Sequence, residues 1–393
     1  MHKSRKYVFL QVTPVFDTFV KKWCIDELYS LGVECIICDL TQVVNPRLDA
    51  YLKQKRLESD KYVGIEVCKI KSYTELNEFF LQNCESRVFF TMFYNAYETR
   101  KIFSLIKETK VDYVCLTGVS SELGIDDTIN DELSLIKKMR LQHIKAVLYN
   151  RLLRKVNTPH DPLFIVLSSR INENYQCWRN DCENVERVRL HSYDYENYLR
   201  TKPYANSESY VVFLDSNVPY HPDFVVDSSL KVDEKEYYKQ LNEIFDEIER
   251  KLGLKVIIAA HPRADIEIET KMFDNRKIVL GDSAALIKGA CLVLAHFSNS
   301  IAFGVMAHKP ITLICNEELV KVEFFKNKCY KYSRALKLPI IHDGSSVDES
   351  LLIFDDSMYE KFLMERITYE EKDEPCFWKD IVLKINNKYN MEV

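Results

Sequence analysis

The sequence predicts a two-domain α/β protein, each domain a doubly wound parallel sheet. Apolar stretches of strand length alternate with amphipathic stretches of helix length along the chain. The alternation runs through twice, interrupted by a polar, irregular stretch over about residues 172–206. The chain has 393 residues, a comfortable length for two domains. The expected division is residues 1–205 and 206–393.

In the first domain KYVFLQV reads as a strand, and VFDTFVKKWCIDELYSLG as a helix stopped by Gly32. VECIICDL is the next strand. SYTELNEFFLQN has Ser72 and Glu75 in capping-box spacing, so a helix starts there. SRVFFTMF is a strand, AYETRKIFSLIKET a helix and VDYVCLTG a strand. Residues 131–155 carry the period of a long amphipathic helix, and DPLFIVLSS follows as a strand.

The second series opens with the strand YVVFLDS and the helix EKEYYKQLNEIFDEIERKLG. LKVIIAAHP is a strand, SAALIKGA a helix, CLVLAHFS a strand, NSIAFGVMAHK a helix and PITLICN a strand. The tail EPCFWKDIVLKINNKY is one more helix, which can lie across either domain.

Composition narrows the function. With 54 basic and 59 acidic side chains and a formal charge of −5, nothing in the bulk charge calls for nucleic acid. Most of the 12 cysteines sit in apolar runs, as small buried hydrophobes of an intracellular protein do. Cys35 and Cys38 have C-x-x-C spacing, but strand alternation points them to opposite faces, and no second pair follows at zinc-ligand spacing. Cys177 and Cys182 lie in a polar stretch. The basic N-terminus MHKSRK precedes an apolar run broken by Thr13 and Pro14, which reads as a first strand rather than a signal peptide. No run approaches the roughly 18 apolar residues of a spanning helix. The expectation is a soluble cytoplasmic protein, a peripheral place at the inner face of the membrane being compatible with it.

In open α/β sheets ligands bind beyond the carboxyl ends of the strands, so the polar residues that end apolar strands are the candidates. Asp215 ends VVFL, with His221 and Asp223 in the proline-pinned loop after it; a carboxylate there serves as nucleophile or general base, or caps a turn. His261 ends KVIIAA and is followed by Pro262 and Arg263; imidazole beside guanidinium suits a phosphate or carboxylate. His296 ends CLVLA, and Ser298, Asn299 and Ser300 open a helix whose N–H groups and hydroxyls suit phosphate. Gly281 and Ser283 form a fourth turn, placed to touch base or ribose. In the first domain Glu98 and Glu122 follow strands and are the candidates to activate an acceptor hydroxyl. Thr13, Phe16, Tyr94, Asn95, Tyr97, Gly118, Ser120 and Ser121 share that position.

The order of these motifs, HP after one strand and serines opening a helix after a later one, resembles the nucleotide-binding lobe of bacterial sialyltransferases and Kdo transferases over roughly residues 205–315. The resemblance implies a GT-B fold, two Rossmann-like domains facing a cleft. It implies a CMP-activated ulosonic acid as donor, with the CMP phosphate on His261, Pro262, Ser298 and Ser300. FLDSNVPYHPD is similar in placement to the segment carrying the reactive Asp of retaining β-Kdo transferases, which implies Asp215 as nucleophile.

The expected activity is transfer of an acidic sugar from a CMP-sugar to a carbohydrate acceptor of the surface glycan type. No cofactor is expected, and no metal, since no D-x-D ends a strand. A UDP- or GDP-sugar transferase, a non-catalytic sugar- or nucleotide-binding protein, and a phosphosugar epimerase are the alternatives.

Overall fold

The computed structural model describes residues 5–46, 57, 61–82, 86–93, 95–117, 148–149, 157–170, 184–221, 228–262, 264–370 and 374–389. The helix expected over 131–155 falls almost wholly outside them, and Cys177 and Cys182 do entirely. The described residues form two compact units. The first runs to Glu196 and resumes at Thr368; the second is Asn197–Ile367. Residues 198–204 belong to the second unit for a local reason. Lys288 Nζ donates to the carbonyls of Tyr198 and, at 2.6 Å, Thr201, while Tyr204 N–H donates to Ala285 O at 2.9 Å.

The first unit is a seven-stranded sheet in the order β3-β2-β1-β4-β5-β6-β7. Its strands are β1 Lys6–Gln11, β2 Cys35–Asp39, β3 Ile65–Lys69, β4 Arg87–Thr91, β5 Tyr113–Thr117, β6 Ile165–Leu167 and β7 Arg187–Arg189, and every pairing is parallel. Alternation sorts their side chains into two cores. Tyr7, Phe9, Cys35, Ile37 and Phe90 face one way. Val8, Leu10, Ile36, Cys38 and Phe89 face the other. Cys35 and Cys38 thus lie on opposite faces, as expected, and the thiol nearest Cys38 is that of Cys68 on the neighbouring strand, at 3.0 Å.

The helix expected over 15–32 is two pieces. Cys24 takes a left-handed conformation, φ 51°, and ends Asp17–Trp23; a 3₁₀ turn, Ile25–Tyr29, follows. The break lets Trp23, Ile25 and Leu28 all enter the first core. The C-terminal helix, Phe377–Lys388, covers the same core. Trp378 meets Phe9 and Phe90 edge-on at 5.4 and 5.8 Å, and its indole N–H donates to Trp23 O at 2.6 Å. Buried Glu196 accepts the N–H groups of Cys376 and Phe377 at that helix's start and pairs with His191 at 2.7 Å.

The second unit is a six-stranded parallel sheet, β10-β9-β8-β11-β12-β13. Its strands are β8 Tyr210–Leu214, β9 Lys255–Ala260, β10 Ile278–Leu280, β11 Leu292–Ala295, β12 Ile311–Ile314 and β13 Ile340–Ile341. The helix Glu234–Leu252 lies between β8 and β9. Asp233 caps it by accepting Glu236 N–H at 3.0 Å, and Gly253 ends it at φ 65°, where glycine carries no Cβ penalty. Tyr237, Tyr238, Leu241, Ile244, Phe245 and Ile248 form its buried stripe. Strand order reverses between β8 and β11, so the topological switch point lies beyond Leu214 and Ala295, which are paired in register.

Candidate functional site

Three chain segments leave the sheet at this switch point. Asp215 follows β8, His261 follows β9 and His296 follows β11. Asp215 N–H still donates to Ala259 O at 3.1 Å, so the end of β8 is fixed beside that of β9. Because β8 lies between the other two, His261 and Ser298 stand on either side of Asp215. Their strands are about 10 Å apart at the usual interstrand spacing. That span suits a ligand with two polar parts better than a single phosphate.

The structure brings His221 and His261 together. Their rings meet edge to face with centroids 5.0 Å apart, and both side chains are half-buried. The loop after β8 turns at Asn217, which takes φ 49°, a left-handed conformation that asparagine tolerates, and Tyr220 N–H donates to its carbonyl at 3.1 Å. Pro262 is exposed, and Ala264 N–H donates to His261 O at 2.9 Å, which closes the turn. Asp265 is a cap: it accepts the N–H groups of Glu267 and Ile268 at the start of the helix Ile266–Met272. Arg263 and Asp223 lie outside the described residues.

Asp215 differs from its expected setting. Its residue is 5% exposed and both carboxylate oxygens are shut off from solvent. A nucleophile has to reach an anomeric carbon, and these oxygens face inward instead. Burial pushes the carboxyl up to about 6, while the backbone N–H groups of Asn217, His261 and Ser216, close by but short of full hydrogen-bond geometry, favour its charged form. The group it faces is the side chain of Glu269, 1% exposed, on the helix 266–272. Burial, and then the Asp215 charge, push Glu269 up to about 9. Sequence reasoning missed Glu269: in DIEIETKM it reads as one more charge on a solvated face.

His296 also departs from expectation. It is wholly buried, and burial pushes it down to about 4, so the ring is neutral. Its Nδ1 lies 2.6 Å from Ile314 O and its Nε2 2.8 Å from the Tyr237 hydroxyl. A carbonyl only accepts, so Nδ1 carries the proton and Nε2 accepts from Tyr237. With both nitrogens engaged inside, His296 braces the ends of β11 and β12 and has no face left for a phosphate.

The turn beyond it stays at the surface: Asn299 is exposed, Ser298 and Ser300 half-buried. The helix opens at Ile301 and has only six residues, so its dipole is small and the turn's binding capacity rests on hydroxyls and N–H groups. Ser298 Oγ accepts Ser300 N–H at 3.2 Å, and Asn299 Oδ1 accepts from Tyr332 at 3.2 Å. At the end of β10, Gly281 takes φ 82° in an exposed turn, and Ser283 begins the helix Ser283–Gly289.

In the first unit Glu98 is exposed in the turn before the helix Arg100–Thr109. Glu122, Tyr94, Gly118, Ser120 and Ser121 lie outside the described residues. Asn95 is a structural residue: its amide donates to Asn157 O and accepts from Tyr149, whose hydroxyl also accepts from Asn157. Among the described residues no group of three or more His, Cys, Asp or Glu is placed to hold a metal ion, and no helix is long and apolar enough to cross a membrane.

No family model matches the sequence, and no curated protein matches it. Solved structures do match along the whole chain. The calicheamicin glycosyltransferase CalG4 superposes with a TM-score of 0.52 at 11% identity, covering 99% of both chains. The wall teichoic acid polymerase TagF gives 0.55 at 10% identity, over 98% of this chain and 90% of its own. A putative UDP-N-acetylglucosamine 2-epimerase from Listeria monocytogenes gives 0.50 at 7% identity, over 98% and 97%. At these identities the likeness is one of fold: two parallel-sheet α/β domains in the GT-B arrangement of strands and helices.

Proposed function

We propose that the protein is a glycosyltransferase that binds a nucleotide-activated sugar at the switch point of its second unit. The observation that carries this reading is the edge-to-face pair of His221, in the loop after β8, and His261, at the end of β9, across Asp215 from the Ser298–Ser300 turn. In transfer from such a donor the bond from the anomeric carbon to phosphate oxygen breaks, and charge grows on the leaving phosphate. Imidazole and hydroxyl donors preset around that oxygen stabilise it. His261 and His221 take that role in this reading. Ser298, Ser300 and the N–H groups between them hold the other polar end of the ligand, with Gly281 and Ser283 toward base or ribose.

The donor we favour is a CMP-linked acidic sugar, on the order of the HP and serine motifs, and the acceptor a carbohydrate hydroxyl. Asp215 serves in this reading by holding the loops that carry His261 and Asn217. The test is a thermal-shift panel of CMP, CDP, UMP, UDP and GDP, followed by donor-consumption assays with whichever nucleotide binds. Stabilisation by CMP above the others is the expected result. Preference for UDP or GDP moves the donor class. Binding without sugar release to any acceptor or to water marks a non-catalytic nucleotide-binding protein.

A further inference from the structure

Asp215 and Glu269 meet inside the second unit, one at the tip of β8 and the other in the middle of the helix 266–272. Both are within a few percent of complete burial, and their side chains are within hydrogen-bonding reach of each other. Among the described residues neither carboxyl has an N–H or O–H donor in good geometry. Two ionised carboxylates are acceptors only, so as a doubly charged pair they repel and leave four buried oxygens without a donor. One proton between them turns the repulsion into an O–H···O⁻ bond of the strong, charge-assisted kind.

We propose that Asp215 and Glu269 share one proton, carried by Glu269, and that Glu269 is thereby a positioning residue for the strand-end site. The assignment of the proton follows from the surroundings. Backbone N–H groups of Asn217, His261 and Ser216 converge on Asp215 and favour its ionised form. Glu269 has the charges of Asp215 and Asp265 beside it, and both oppose its ionisation. The helix 234–252 carries Tyr237 and Tyr238 within electrostatic range of the pair, and Glu234 acts on Tyr238 from the same helix's first turn. Tyr220, in the loop after β8, donates to Glu234 and feels the charge of Glu269 at longer range. All three tyrosines are held above their ordinary range, so they stay neutral and add no negative charge beside the pair. Glu269 thus donates to an Asp215 carboxylate whose charge attracts the backbone N–H groups of the loops carrying His261 and Asn217. The role in catalysis rests on the glycosyltransferase reading; the shared proton does not.

The experiment uses the full chain as wild type, Glu269→Gln and Glu269→Ala. Infrared difference spectra report the C=O stretch of protonated carboxyl groups, and denaturant midpoints are taken across pH. Glu269 is pushed up from 4.5 to about 9. Its contribution is therefore full below its ordinary range and is lost as pH rises through about 9. Wild type should show a protonated-carboxyl band at neutral pH that is missing from Glu269→Gln. Its denaturant midpoint should fall toward alkaline pH, where the Gln variant, which donates an N–H in place of the acid proton, stays level. Gln should also restore most of the donor use that Ala loses, and remove the alkaline limb of the transfer profile. If Glu269→Gln does not fold, Asp215→Asn replaces it: with the opposing charge gone, the band should vanish at lower pH than in wild type. A wild type with no such band and the same pH slope as Glu269→Gln overturns the proposal. If no sugar is transferred at any pH, the glycosyltransferase reading falls while the spectra and midpoints still decide the pair.

Discussion

The hydroxyl of Tyr237 donates to Nε2 of His296 at 2.8 Å, which joins the long helix after β8 to the end of β11. Removing that donor leaves a buried ring nitrogen with nothing to accept from. Tyr237→Phe should therefore lower stability by about 1–3 kcal/mol in urea unfolding, as a buried acceptor left unsatisfied does. Nucleotide binding should be retained, because neither group faces the site.

The same ring makes a pH prediction. His296 is pushed down from 6.5 to about 4, so the fold holds it neutral while the unfolded chain takes up a proton. Its contribution is present above 6.5 and is lost as pH falls toward about 4. Histidine NMR should find this imidazole still neutral where an ordinary one is charged. His296→Gln should flatten the stability curve across that window. A ring titrating at its ordinary value would mean that it reaches water.

His296 also shows where sequence reading stops. The runs VVFL, KVIIAA and CLVLA are apolar throughout, so their strands and the polar residues ending them are legible, and the switch point follows from the order of the elements. Whether a residue one step past a strand points to solvent or back beneath the sheet depends on the loop, and hydropathy does not encode it. His261 lies beside His221 near the surface, whereas His296 lies against Phe213 in the interior at 5.2 Å. Strand β3, which mixes Glu66 and Lys69 with apolar residues, and β7, flanked by two arginines, lie at the sheet's two edges, where no second core demands a continuous apolar run. Glu269 is hidden for the opposite reason: its helix is only seven residues long, too short to display an apolar stripe.

His261 and Ser298 should separate by magnitude. His261→Ala removes a donor from the proposed leaving-group site and should cost about 2–4 kcal/mol in kcat/KM, the range for lost oxyanion donors. Ser298→Ala removes a neutral hydroxyl that also steadies Ser300 N–H, and should cost about 0.5–1.5 kcal/mol, mostly in KM. Unchanged kcat/KM in His261→Ala would take that histidine out of the site.

The C-terminal helix makes a prediction about stability. Trp378 is 1% exposed, packs on Phe9 and Phe90, and donates to Trp23 O. Trp378→Ala should destabilise the first unit by about 3–5 kcal/mol, the range for a buried large aromatic. Deleting the chain from Phe377 onward should do more, since it also removes Phe377, Ile381 and Ile385 from that core. Limited proteolysis should then cut the first unit sooner, while fragments of the second unit persist.

Asp215 divides two chemical roles. As a nucleophile it forms a bond to the anomeric carbon, and wild type incubated with donor and a slow acceptor shows a sugar-sized mass adduct that Asp215→Asn lacks. As a positioning group it never touches the sugar. Its inward-facing oxygens and the N–H groups gathered around it favour the second role. Asp215→Asn keeps the shape and one accepting oxygen, and its amide N–H₂ donates to Glu269, which is then free to ionise. That variant should fold, bind nucleotide more weakly, and retain measurable transfer, with a loss of about 1–3 kcal/mol from the missing charge-assisted bonds. Asp215→Ala leaves Glu269 buried without its partner and should lose stability as well as transfer. No adduct should appear on wild type under any condition. A sugar-sized adduct on wild type, absent from Asp215→Asn together with all transfer, would restore the nucleophile and require the loop after β8 to open during turnover.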